Sequence, residues 1–193
     1  MALTHRDSVS GRFCFEKVPT DKVDLDIRYR TNAVVAFVCA ELHISPLPEV
    51  IWIRPAPADL VAKLFGTLVQ GCLEERHPRY TRVRPDIQEG YTPEHLTQIW
   101  IRSYLSACPN LEFVTAHETR HIWQKVKDIK IFSDEGTAEG DAYPYAYDVL
   151  KRYLAGKGRL TVEVESDIDN KRKSTRSKFL QCWPNGRFEV IEG

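Results

Sequence analysis

The sequence predicts an α+β fold, with one small, mostly antiparallel sheet packed against several helices. Three observations carry this. Apolar stripes at helical spacing recur at 31–44, 60–75, 110–127 and 134–154. Short β-rich runs fenced by prolines or turn residues lie between them, at 50–53 and 96–105. The 193 residues show no internal repeat and suffice for one hydrophobic core with a small appendage.

Taken in order, "TNAVVAFVCAELHI" (31–44) opens on residues that favour helix starts and carries a dense apolar stripe, so it reads as a buried helix. Val50–Ile53 is a strand between prolines. A helix follows Asp59, and 76–95 reads as a long irregular connection of the kind that is often functional. "LTQIWIRSYL" (96–105) alternates as a strand. A helix starts near Asn110, and "IKIFS" (129–133) reads as a turn. Ser133 or Asp134 caps the next helix, which "AGKG" ends. "RLTVEVES" (159–166) reads as a strand, "DNKRKSTRSK" (169–178) as a solvated basic loop, and Asn185-Gly186 as a hairpin turn.

Composition excludes several classes of function. Net charge is zero, so nothing global points to nucleic acid or to an anionic membrane surface. No apolar run approaches the roughly 20 residues of a membrane span, and "MALTHRDSVSGRF" has no signal-peptide core. A cytoplasmic location is the expectation. Cys14, Cys39, Cys72, Cys108 and Cys182 are scattered without a CxxC pair, which argues for buried thiols over a disulfide framework.

The stretch with chemical content is "AHETRH" (116–121). At about 100° per residue, His117 and His121 stand about 40° apart on one helix face, one turn from each other. That is the spacing with which two imidazoles grip one ion. Leu111, Val114, Ile122 and Val126 share the broad apolar face, whereas Arg120 and Lys127 point away from it. The histidines and the neighbouring Glu118 therefore look inward, where a carboxylate is costly unless something pairs with it. A bound Zn²⁺ with its water supplies that partner, with Glu118 as general base.

Such a site needs a third protein ligand and an open position. No histidine follows His121, so carboxylates of the next helix are the candidates: Asp134, Glu135, Glu139 and Asp141. Asp141 and Asp148 fall on a solvent-like face. Glu139 lies far enough along the returning helix to regain the level of the histidines, and Ala142 and Ala146 permit close packing. Glu135 is the alternative. Pro144 sits where it would kink this helix or serve as its first residue, with Gly140 relieving part of the clash.

"HETRH" followed by "EGDAYPYA" resembles the gluzincin branch of zinc metallopeptidases, with an E-x-x-A-x-x-x-A third-ligand helix, and is similar to the small cytoplasmic ImmA/IrrE type. The resemblance covers about 96–155. It implies a zincin-like fold, zinc peptidase activity, His117, His121 and Glu139 as ligands, and Glu118 as base. It also implies that the strand at 97–104 is the edge along which a peptide lies. "EGTAE" (135–139) resembles the pattern of larger gluzincins, which would favour Glu135. The expected organisation is a zincin-like metallopeptidase domain at 1–160, with a C-terminal strand and hairpin extension at 161–193 packed on it. The expected partner is a protein or peptide substrate. A non-hydrolytic regulatory or binding protein that keeps the scaffold is the second expectation. Nucleic-acid contact through 170–178 is the weakest, and no oxyanion-stabilising residue is assigned among Tyr143, Tyr145, Tyr147 and His95.

Overall fold

A computed structural model describes residues 3–6, 13–55, 90–91, 97–103 and 110–192. Its five strands are β1 (Leu3–Arg6), β2 (Phe13–Lys17), β3 (Glu49–Pro55), β4 (Gly90–Tyr91) and β5 (Gln98–Arg102). They form one sheet in the order β1-β2-β3-β5-β4, antiparallel except for the β3–β5 pair. The helices are α1 (Leu25–Glu41), α2 (Asn110–Lys127), α3 (Ile129–Ser133), α4 (Glu135–Gly156) and α5 (Val162–Cys182). This is the expected α+β, zincin-like arrangement, with the histidine helix α2 and the glutamate helix α4 packed against each other.

Strand alternation decides which side of the sheet faces the helices. In β3 and β5, Trp52, Ile99 and Ile101 join Leu111, Val114, Ile122 and Trp123 of α2 in one core cluster, with Val35 and Cys39 of α1. The other face carries Ile51, Ile53 and Trp100, and Ile53 and Trp100 are buried as well. A second cluster lies behind α2, where Ala116 meets Tyr145, Ala146, Val149 and Leu150 of α4, Val34 and Val38 of α1, and Ile168 of α5. Ala116 and Ala146 leave room for the close α2–α4 approach. Helix α2 is thus covered on both sides, by the sheet and by α4. Arg30 of α1 ties in its first turn, donating from Nε and Nη2 to the two oxygens of Glu112 at 2.9 Å each.

Several expectations are corrected. The first helix starts at Leu25 rather than 31, because Asp24 accepts hydrogen bonds from the backbone N–H groups of Asp26 and Ile27. Strands β1 and β2 were not anticipated. "IKIFS" forms the short helix α3, capped by Asp128, instead of a turn. Residues 162–166 of the strand expected at 159–166 and the whole basic loop at 169–178 belong to the helix α5, capped by Thr161. Ile168 and Phe179, both buried, are eleven residues apart and so share one face of a helix, which the short V-E-V alternation concealed. Charges on the remaining faces pair across to α4, as in Lys151–Asp169 (2.7 Å) and Arg172–Asp148. No hairpin forms at Asn185-Gly186: the chain turns there and continues as a tail along α4, with no strand. The strand at 98–102 is not the sheet edge, since β4 pairs with it at Trp100 and Ile101. The helix expected at 60–75 and most of the 76–95 connection lie outside the described residues.

Pro144 neither breaks α4 nor starts it: the helix runs from Glu135 to Gly156 with the proline inside. The missing proline N–H would leave the Gly140 carbonyl without its helical partner. The backbone N–H of Glu189 in the tail donates to that carbonyl at 3.0 Å. Gly140 makes the contact possible, because a Cβ at this position would stand 2.0 Å from the Arg187 carbonyl oxygen.

Candidate metal centre

The i, i+4 spacing on α2 brings the two Nε2 atoms of His117 and His121 to 3.1 Å from each other. Glu139 arrives from α4, with Oε2 at 3.3 Å from His117 Nε2 and Oε1 at 3.8 Å from His121 Nε2. All three side chains are buried, and their donor atoms lie within 4.8 Å of one another. A tetrahedral ion with bonds of roughly 2.0–2.2 Å needs ligand atoms about 3.3–3.6 Å apart, and the observed 3.1, 3.3 and 3.8 Å bracket that range. The donor set, two imidazole nitrogens and a carboxylate, is one that zinc takes in catalytic sites. The residues fit the ion.

Glu135, the alternative third ligand, is exposed in the first turn of α4, and Glu139 is the carboxylate brought to the histidines. Glu118 is buried as well, next in sequence to His117. Tyr143 packs its ring 4.7 Å from that of His117, and Phe132 of α3 lies 5.8 Å from that of His121, so aromatic walls flank the donor set. Tyr145 faces away from this group: its hydroxyl donates to Glu41 of α1, and burial with the adjacent carboxylate pushes its phenol well above the ordinary value.

Three side-chain placements differ from the expectation. Arg120 and Asp141 are buried, at 2% and 1% exposure, although helical phase put both on outward faces. Helix α2 has no solvent face along 114–124, because the sheet, α1, α4 and the C-terminal tail surround it. Val126, expected inside, is exposed at the far end of the helix. Arg120 donates from Nε and Nη2 to the two oxygens of Asp141 at 2.8 Å each, and from Nη2 to the Ile191 carbonyl at 2.6 Å. Its guanidinium lies 3.6 Å from the ring centroid of Trp123 and 4.4 Å from that of Tyr145. Cation–π contact and hydrogen bonding together make this burial tolerable.

Gln124 was not among the candidates. It lies seven residues after His117, nearly in phase with it, and that heptad spacing is the signal that could have found it. Its Oε1 is 2.8 Å from His121 Nδ1, while its Nε2 donates to the Ala138 carbonyl at 2.9 Å and to Asp141 Oδ2 at 2.7 Å. Cys39, under the sheet, is a buried thiol whose pKa desolvation pushes up to about 11, so it is protonated at neutral pH and packs as a small hydrophobe.

No family model, curated protein or solved structure matches the chain. The site therefore rests on its geometry, and the His117/His121/Glu139 triad on two packed helices matches that of a gluzincin-type zinc metallopeptidase.

Proposed function

We propose that this chain is a zinc-dependent metallopeptidase that hydrolyses a peptide bond of a protein or peptide substrate in the cytoplasm. The observation that carries the reading is the convergence of two imidazole Nε2 atoms and one carboxylate, all buried, at separations of 3.1, 3.3 and 3.8 Å. In this reading His117, His121 and Glu139 hold the ion. Zinc supplies Lewis-acid polarisation of a water and of the scissile carbonyl. Glu118 takes the proton of the attacking water on its carboxylate and delivers it to the departing amine nitrogen. What supports this role is its place: Glu118 follows the ligand His117 directly on α2 and is buried with it. Residues 1–160 form the metallopeptidase domain, and 161–193 an extension that completes its core through α5 and the tail.

The test pairs metal analysis with two variants. Purified wild type should carry about one zinc per chain, and His117→Ala should lose it. Glu118→Gln should keep the metal and lose at least about 100-fold in turnover, the usual loss when a general base is removed. Comparing the proteomes of cells expressing wild type and Glu118→Gln identifies the substrate as a protein cleaved only by the former. Stoichiometric zinc with identical proteomes would support a binding protein on the same scaffold instead.

A further inference from the structure

The hydrogen bonds around Gln124 leave its amide one orientation. Rotating it by 180° would turn Oε1 toward two acceptors, the Ala138 carbonyl and Asp141 Oδ2, which now receive its two N–H bonds. Oε1 must then face His121 Nδ1 at 2.8 Å, and a carbonyl-type oxygen can only accept. His121 therefore carries its proton on Nδ1, which leaves the Nε2 lone pair directed at His117 Nε2 and Glu139. Asp141 is fixed in turn by Arg120 and by the backbone N–H of Ile191, at 2.7 Å.

Resting on the metal-site reading above, we propose that Gln124 is a positioning residue that holds His121 in its metal-binding tautomer, and that Asp141 and Arg120 set Gln124. The cation that this site takes is then bound with an affinity decided partly by side chains that never touch it. Outer partners of ligating histidines typically control metal affinity by 10- to 100-fold.

The experiment measures Co²⁺ affinity by chelator competition, with the visible spectrum of the bound ion as readout and urea unfolding of the metal-free protein in parallel. Gln124→Met keeps the side-chain length without the amide and should weaken Co²⁺ binding roughly 10- to 100-fold. Gln124→Glu keeps an acceptor for His121 but sets an oxygen against Asp141. It should lose stability yet bind Co²⁺ within about threefold of wild type, an opposite signature that a merely structural role would not give. Nitrogen-15 NMR of the metal-free wild type, at a pH where the ring is neutral, should report the Nδ1–H tautomer of His121. That measurement stands even if neither variant folds. Wild-type affinity in the folded fraction of Gln124→Met, equal affinity losses in both variants, or an Nε2–H tautomer would overturn the proposal while leaving the metal site intact. Wild type that binds no Co²⁺ or Zn²⁺ would instead overturn the metal reading beneath it.

Discussion

Replacing Asp141 with Asn preserves volume and should remove about 4 kcal/mol of folding stability. The carboxylate accepts four hydrogen bonds: two from Arg120 at 2.8 Å, one from Gln124 at 2.7 Å and one from the Ile191 N–H at 2.7 Å. In the variant, an NH₂ group faces donors on one side and Arg120 is left as a buried cation without its counter-ion. Breaking one side of a buried pair costs roughly 3–5 kcal/mol, a large share of the roughly 5–15 kcal/mol that holds a domain together. Arg120→Met should cost at least as much, because it also gives up the Trp123 and Tyr145 rings. The double variant should be less destabilised than the sum of the two, with a coupling of about 2–3 kcal/mol. It should not return to wild type, since Gln124 and Ile191 keep donors aimed at position 141, each worth roughly 1–3 kcal/mol when unmet. Equilibrium urea unfolding in chelator, followed by tryptophan fluorescence, measures all four corners of the cycle. A loss below about 1 kcal/mol in Asp141→Asn, or additivity within about 0.5 kcal/mol, would refute the argument.

Two further outcomes are expected. Gly140→Ala places a Cβ 2.0 Å from the Arg187 carbonyl and should lift the tail, costing about 1–3 kcal/mol in the full chain. In a chain ended at Gly186 the same change should stabilise by up to about 1 kcal/mol through helix propensity, once the Phe179 ring has rotated aside, and the same sign in both chains would count against the tail contact. Glu112→Gln weakens the Arg30 pair at the other end of α2 and should cost about 1–3 kcal/mol of stability with unchanged Co²⁺ affinity, whereas Asp141→Asn should lower both. Equal affinity losses in the two variants would mean that any damage to α2 disturbs the site.

The legible part of this protein is what depends on periodicity. The four-residue spacing of His117 and His121, and the distance from the turn to Glu139, follow from helix geometry alone, and the structure brings those three residues together. The apolar runs at 50–53 and 98–102 are strands for the same reason. What was not legible depends on partners far away in the chain. In the sequence Arg120 points outward because a helix with one apolar stripe usually has a wet side. The tail that covers that side, with Ile191 seventy-one positions later, leaves no local mark. Helix α5 is hidden in the sequence because only Ile168 and Phe179 are buried among its described residues, and charge pairs and a Tyr147–Thr175 hydrogen bond tie its other faces to α4.

The tail also explains why an interior proline is compatible with a ligand-bearing helix. Pro144 frees the Gly140 carbonyl, one residue from the ligand Glu139, and that carbonyl would need another donor if it were buried. Glu189 supplies the donor, and the same stretch of tail brings Ile191 N–H to Asp141 and its carbonyl to Arg120. A residue that would loosen the third-ligand helix thus becomes the reason the C-terminal segment docks where it does. From that dock, the order passes through Asp141 to Gln124 and then to His121. Each group in the series is a buried polar atom that would be costly alone, and each is satisfied by the next. The orientation of His121 is therefore a property of the α2–α4–tail assembly rather than of the H-E-x-x-H helix, which by its spacing alone would leave the tautomer of His121 undetermined.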